Sequence, residues 1–137
     1  MNGLLLDTCA VIWVGLDARI SEESRSVIGA AYDAGSPIAV SAVTALEIGL
    51  LSSRGKQKFP IDPKTWFREF VSRSGADLAG MEPDTLIDSC FLPGNPPRAP
   101  FDRIVIATAR REGLTIVTRD RAILAYGEAG HVRTLEC

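Results

Sequence analysis

Short, wholly apolar runs alternate along this chain with longer stretches in which apolar residues return every three or four positions. Leu4–Leu6 is apolar throughout, as expected of a strand buried on both faces of a parallel sheet, and Ile38–Val40 repeats the signature. Between them lies a helical stretch from about Thr8 to Leu16, and then "ISEESRSVIGAAYDAG". There Ser21 is placed as a helix cap, Glu22 and Glu23 fill the first turn, and Gly35 ends the element. Ser41 is placed to cap the next helix, which runs to about Leu51. "SSRGKQKFPIDP" is a polar loop, Pro63 opens the helix "KTWFREFVSR", Asp77–Ala79 is a third strand, and Pro83 opens a helix in "EPDTLIDSCF". After the loop "LPGNPPRAP", helix spacing resumes from Pro100 to Arg111, turns at Gly113, and passes into a strand, Thr115–Thr118. Val132–Leu135 is the last strand. This alternation predicts an α/β fold with a central, mostly parallel sheet of four to five strands and helices on both faces.

Composition narrows the class without naming a function. The 137 residues read as one domain, 1–137, with 46% hydrophobic and 23% charged residues, a globular balance. No apolar run approaches the roughly 20 residues of a membrane span. "MNGLLLDTC" has no basic leader, so no signal peptide is expected. Three cysteines, Cys9, Cys90 and Cys137, form an odd set without metal-type spacing, which suggests a reducing, cytoplasmic setting. A net charge of −2 offers no global attraction to nucleic acid, so any such contact must be local.

Four acids stand out by position. Asp7 follows the first strand and Asp120 follows the "TIVT" strand, on the sheet edge where ligands bind in such folds. Glu47 shares a helix face with Val43 and Leu50, and Asp102 shares one with Val105, Ile106 and Ala109, although an unpaired buried charge is costly. Each has a plain structural alternative: Asp7, Asp120 and Asp102 as helix caps, Glu47 as the partner of an arginine. If the four converge, their repulsion must be offset by protons or by a cation, and a hard divalent ion such as Mg²⁺ suits oxygen ligands.

The segments "LLLDTCAVIW", "VSAVTALEIG", "PFDRIVIATARREGLTIVTRD" and "VRTLEC" resemble a PIN-domain ribonuclease, and most closely the VapC-type toxins of bacterial toxin–antitoxin pairs. The resemblance covers nearly the whole chain. It implies the family's PIN-like, Rossmann-like α/β sandwich and an acidic quartet of Asp7, Glu47, Asp102 and Asp120, acting as catalytic residues and as ligands of Mg²⁺ or Mn²⁺. It further implies an endoribonuclease toxin, a cognate VapB-type antitoxin, a homodimer and an RNA substrate. Thr118 matches the family's small hydroxyl residue two before the last acid. Pro97, Ala99 and Cys9 stand where relatives often carry His, Asp and His. The rival of a different class is a non-catalytic PIN-like module that binds RNA or protein.

Cations near the acids in sequence are the candidates for substrate phosphate: Arg98, Arg103, Arg119 and Arg121, with Arg54, Lys56 and Lys58 from the polar loop. The plainer reading of each is a solvated surface charge. Trp66, Phe67 and Phe70 share helical spacing and suit the core or a partner groove. His131 receives no role, nor does Asp17 in the Leu16–Ala18 loop.

Overall fold

The computed structural model describes residues 3–16 and 21–137, so Asp17 lies outside the described residues. Within the described residues five strands form one parallel sheet: β1 (Leu4–Leu6), β2 (Ile38–Ser41), β3 (Asp77–Ala79), β4 (Thr115–Thr118) and β5 (Arg133–Glu136). Their spatial order is β3-β2-β1-β4-β5, so the winding direction reverses at β1. Leu5 pairs in register with Ala39 on one side and Ile116 on the other.

Among the described residues seven helices cover the sheet: α1 (Thr8–Gly15), α2 (Glu22–Asp33), α3 (Val43–Ser53), α4 (Pro63–Ser74), α5 (Pro83–Asp88), α6 (Pro100–Glu112) and α7 (Arg121–Glu128). Strand alternation splits the core in two. Leu4, Leu6, Val40 and Val117 pack with Ala10, Val11, Ile48, Trp66, Phe67 and Phe70. Leu5, Ala39 and Ile116 face the other way, onto Val105, Ile106, Ala109, Ile123 and Tyr126. Burial on both faces is why these strands read as unbroken apolar runs.

Three details differ from the sequence expectations. Ser41 is the last residue of β2, and the cap position of α3 is Ala42, although the Ser41 hydroxyl accepts from the Val43 N–H at 3.2 Å. The last strand is Arg133–Glu136, one residue later than expected, because an edge strand presents mixed burial and no clear alternation. Helix α7 was not anticipated as an element; its Ile123 and Tyr126 are buried and Asp120 caps it.

The loop before α6 is tied down from several sides, which sets where Asp102 emerges. Arg103 Nε donates to the Pro97 carbonyl at 2.6 Å, and the Tyr126 hydroxyl donates to the Pro93 carbonyl. Gly94 has φ +69° and sits against His131, so a Cβ there would collide with the imidazole. His131 stacks on Tyr126 at 4.7 Å and thus serves the loop.

Candidate active site

An acid follows each of the two strands that flank the reversal. Asp7 follows β1, and its N–H donates to the Val117 carbonyl of β4 at 3.0 Å. Thr118 closes β4; its hydroxyl donates to Asp7 Oδ2 at 2.7 Å and accepts from the Asp120 N–H at 2.9 Å. One fully buried hydroxyl therefore spaces the two acids. Thr118 consequently holds Asp7 and Asp120 in place, and its one hydroxyl proton is committed to Asp7.

The helix-cap alternative is true for two of the acids. Asp7 is the N-cap residue of α1 and accepts from the Thr8 N–H at 2.9 Å, and Asp120 caps α7 by accepting from the Ile123 N–H at 3.0 Å. Capping leaves each of these acids at the sheet edge, where a helix N-terminus favours an ionised carboxylate. For Asp102 the cap alternative fails: Ala99 holds the cap position of α6, and Asp102 lies in its first turn. Glu47 is held by a threonine instead of an arginine. Thr8 Oγ1 donates to Glu47 Oε1 at 2.7 Å and lies 3.1 Å from Thr44 Oγ1.

All four acids line one cavity of about 420 Å³, together with Thr8, Cys9, Ile12, Trp13, Leu51, Gln57 and Arg119. Burial, followed by the charges of Asp120, Asp7 and Glu47, pushes the Asp102 carboxyl up to about 7. Burial also raises Asp7, against the opposing hydrogen bonds from Thr118 and Thr8, and the Asp120 charge adds to the rise. Glu47 is raised by burial, with Asp7 and Asp120 contributing, while its bond from Thr8 opposes. Four segments distant in sequence thus meet electrostatically, as their positions in the chain predicted.

Among the described residues, no group of three or more His, Cys, Asp or Glu side chains is placed to hold a metal ion. The donor chemistry nevertheless fits a hard divalent ion. The four carboxylates are all-oxygen ligands; Glu47 and Asp120 each commit one oxygen to the bonds described above, and Asp7 accepts one bond at each oxygen, from the Thr8 N–H at Oδ1 and from the Thr118 hydroxyl at Oδ2, which leaves lone pairs on all of them. Mg²⁺ keeps several waters and needs only one or two carboxylates, so an open set of acids suits it better than a cage.

The remaining candidates divide. Arg119 lines the cavity, and Gln57 brings the loop bearing Arg54, Lys56 and Lys58 to its rim, with those three side chains exposed. Arg103 is spent on Pro97, Arg121 pairs with Glu136 at 3.5 Å on the surface, and Arg98 is exposed on the loop before α6. The Cys9 thiol is held well above its ordinary range by its contact with Cys137 and by burial, which removes it as a nucleophile. Thr8, Trp13 and Gln57 were not singled out from sequence. Trp13 follows Cys9 by four residues on α1, a spacing that would have placed it on the same wall.

A profile of the PIN domain matches residues 4–129. The chain belongs to the PIN-domain family. The match takes in β1 through α7, and with them all four acids. This PIN domain is 25% identical over 127 residues to ribonuclease VapC22 of Mycobacterium tuberculosis, covering 92% of this chain and 93% of that one. Its fold is similar to the crystal structure of VapBC2 from Rickettsia felis bound to a promoter DNA fragment, with a TM-score of 0.67, 14% identity and 98% of both chains covered. It is also similar to FitAcB from Neisseria gonorrhoeae, with a TM-score of 0.60, 21% identity and 96% of both chains covered.

Proposed function

We propose that this PIN domain is an endoribonuclease dependent on Mg²⁺ or Mn²⁺, and the toxin of a toxin–antitoxin pair. The observation that carries this is the meeting of Asp7, Glu47, Asp102 and Asp120 in one cavity at the reversal of strand order, with the charges of the other three all acting on Asp102. Its likeness to a ribonuclease over almost its full length supports the same chemistry.

Asp7 and Asp102 would hold the ion directly, Asp120 directly or through water, and Glu47 would orient water or bind a second ion. When bound, such an ion lowers the pKa of water and offsets charge on the phosphodiester as it is attacked. The protein's own part is placement. Thr118 fixes the Asp7 carboxylate, Thr8 fixes Glu47, and the caps of α1 and α7 keep two of the acids aimed at one point. With water as nucleophile the 2′-hydroxyl is not consumed, so products carry 5′-phosphate and 3′-hydroxyl ends.

The partner we propose is a VapB-type antitoxin. Trp66, Phe67 and Phe70 belong to the core, but Trp66 and Phe70 also line a second cavity of about 500 Å³ with Val14, Pro60, Ile61 and Arg73. An apolar antitoxin segment fits that lining, and the similar fold from Rickettsia felis is that of VapBC2 on promoter DNA. A homodimer is proposed as well; Phe91 is 80% exposed and Ile87 on α5 is 59% exposed, unusual for a lone monomer's surface. No helix among the described residues is long and apolar enough to cross a membrane.

The test is incubation of purified protein with labelled tRNA and mRNA in Mn²⁺ or in EDTA, followed by mapping of the ends. Cleavage in Mn²⁺ alone supports the nuclease. Binding without cleavage in either condition supports the non-catalytic PIN-like module.

A further inference from the structure

Thr44 is fully buried in the first turn of α3, three residues before Glu47, so the two share a helix face. A helical threonine commonly turns its hydroxyl back onto a carbonyl of the preceding turn. Thr108 does so on α6, donating to the Ile104 carbonyl at 2.7 Å. Thr44 does otherwise. Among the described residues its hydroxyl contact is with Thr8 Oγ1 of α1, 3.1 Å away. Thr8 Oγ1 also lies 2.7 Å from Glu47 Oε1, so it bridges two residues of α3 from a neighbouring helix.

Counting protons fixes the direction of this chain. A hydroxyl has one proton to donate, and an ionised carboxylate can only accept. The Thr8 proton therefore goes to Glu47, and the contact between the two hydroxyls must be made by the Thr44 proton. The shorter of the two distances is the one to the carboxylate, as a charge-assisted bond requires. Glu47 and Thr8 line the acidic cavity, whereas Thr44 lies outside that lining.

We propose that Thr44 is a positioning residue for the cleavage: its hydroxyl holds Thr8 in the rotamer that meets Glu47, and through Thr8 it fixes the Glu47 carboxylate at the acidic site. This rests on the nuclease reading and adds to it a residue that touches neither substrate nor ion. Without the Thr44 donor, the Thr8 hydroxyl keeps a single partner and its side chain can sample another staggered position. The Glu47 carboxylate then loses its fixed support for part of the time.

The test compares wild type with Thr44→Val, which keeps the shape and loses the hydroxyl, and with Thr44→Ser, which keeps the hydroxyl. Scalar couplings to the Thr8 methyl report its χ1 rotamer in the EDTA-treated protein. The kcat and KM for one labelled oligoribonucleotide in Mn²⁺ report the chemistry. Thr44→Val should average the Thr8 couplings and lower kcat about tenfold, the equivalent of one hydrogen bond, with KM little changed. Thr44→Ser should recover the single rotamer and most of kcat. Thr108→Val removes an equally buried hydroxyl whose bond stays within α6, and should alter neither readout. Thr44→Ala removes the same hydroxyl as Thr44→Val and takes its place where the valine protein fails to fold. A Thr8 rotamer or a kcat that survives loss of the Thr44 hydroxyl overturns the proposal, as does a serine variant no better than valine. A wild type that never cleaves sinks the nuclease, while the couplings still decide whether Thr44 sets Thr8.

Discussion

The Thr118 hydroxyl donates to Asp7 Oδ2 at 2.7 Å while accepting from the Asp120 N–H at 2.9 Å, so one side chain at the end of β4 couples two acids of the site. Asp7 is only 6% exposed, and this bond is one of the few things that oppose the upward push of burial on its carboxyl.

Thr118→Val preserves shape and removes that bond. It should cost about 1–3 kcal/mol in urea denaturation, the range for stranding a buried polar group, and depress RNA cleavage. Thr118→Ser should recover most of both. A valine variant as active as wild type would show that Asp7 needs no such support.

Asp102 is held at about 7 against an ordinary 3.8, so across that interval the folded protein retains a proton that the unfolded chain has released. Linkage then makes the group's contribution fully present below about pH 4, lost as pH rises to 7, and absent above. Asp102→Asn should therefore raise the melting temperature of the EDTA-treated protein at pH 8, and the gain should vanish near pH 4. A variant less stable than wild type at pH 8 would make Asp102 a structural residue of α6.

Metal should act through the same charges. Binding to the folded state alone stabilises by roughly 1.4–2.7 kcal/mol at ten to a hundred times the dissociation constant. Thermal melts in Mn²⁺ and in EDTA should show that gain for wild type and a smaller one for Asp7→Asn. An equal gain in both proteins would place the ion elsewhere.

Much of this was legible in the chain because local and global signals agreed. Leu4–Leu6 read as a buried strand because both sheet faces are covered, and Pro63 and Pro83 opened helices because their fixed φ suits the first turn. The acids were legible because a charge on an inward face or strand end is unusual. The bond from Thr118 to Asp7 was not, since a threonine closing a strand looks the same whatever its hydroxyl meets. Helix α7 was missed because only Ile123 and Tyr126 of its eight residues are buried, too few to mark a period. The Thr44–Thr8–Glu47 chain exists only after folding brings α1 beside α3.

Gly15 gives the proposed partner groove a handle. A Cβ there would meet Trp66 at 2.5 Å and Phe70 at 3.1 Å. Gly15→Ala should displace Trp66, cost about 1–3 kcal/mol as overpacking does, and weaken capture of the co-expressed antitoxin. Undiminished capture by a folded Gly15→Ala protein would move the antitoxin to another surface.

The central claim is that Asp7, Glu47, Asp102 and Asp120 act as one metal-dependent site. Its most direct test is single-turnover cleavage of one labelled oligoribonucleotide in Mn²⁺ by wild type and by Asp7→Asn, Glu47→Gln, Asp102→Asn and Asp120→Asn. Losing several kcal/mol of charge stabilisation corresponds to a fall of about 100-fold or more, and each variant should show it, with EDTA abolishing what remains. Near-wild-type cleavage by any two of the four, or cleavage by wild type in EDTA, would contradict the shared site.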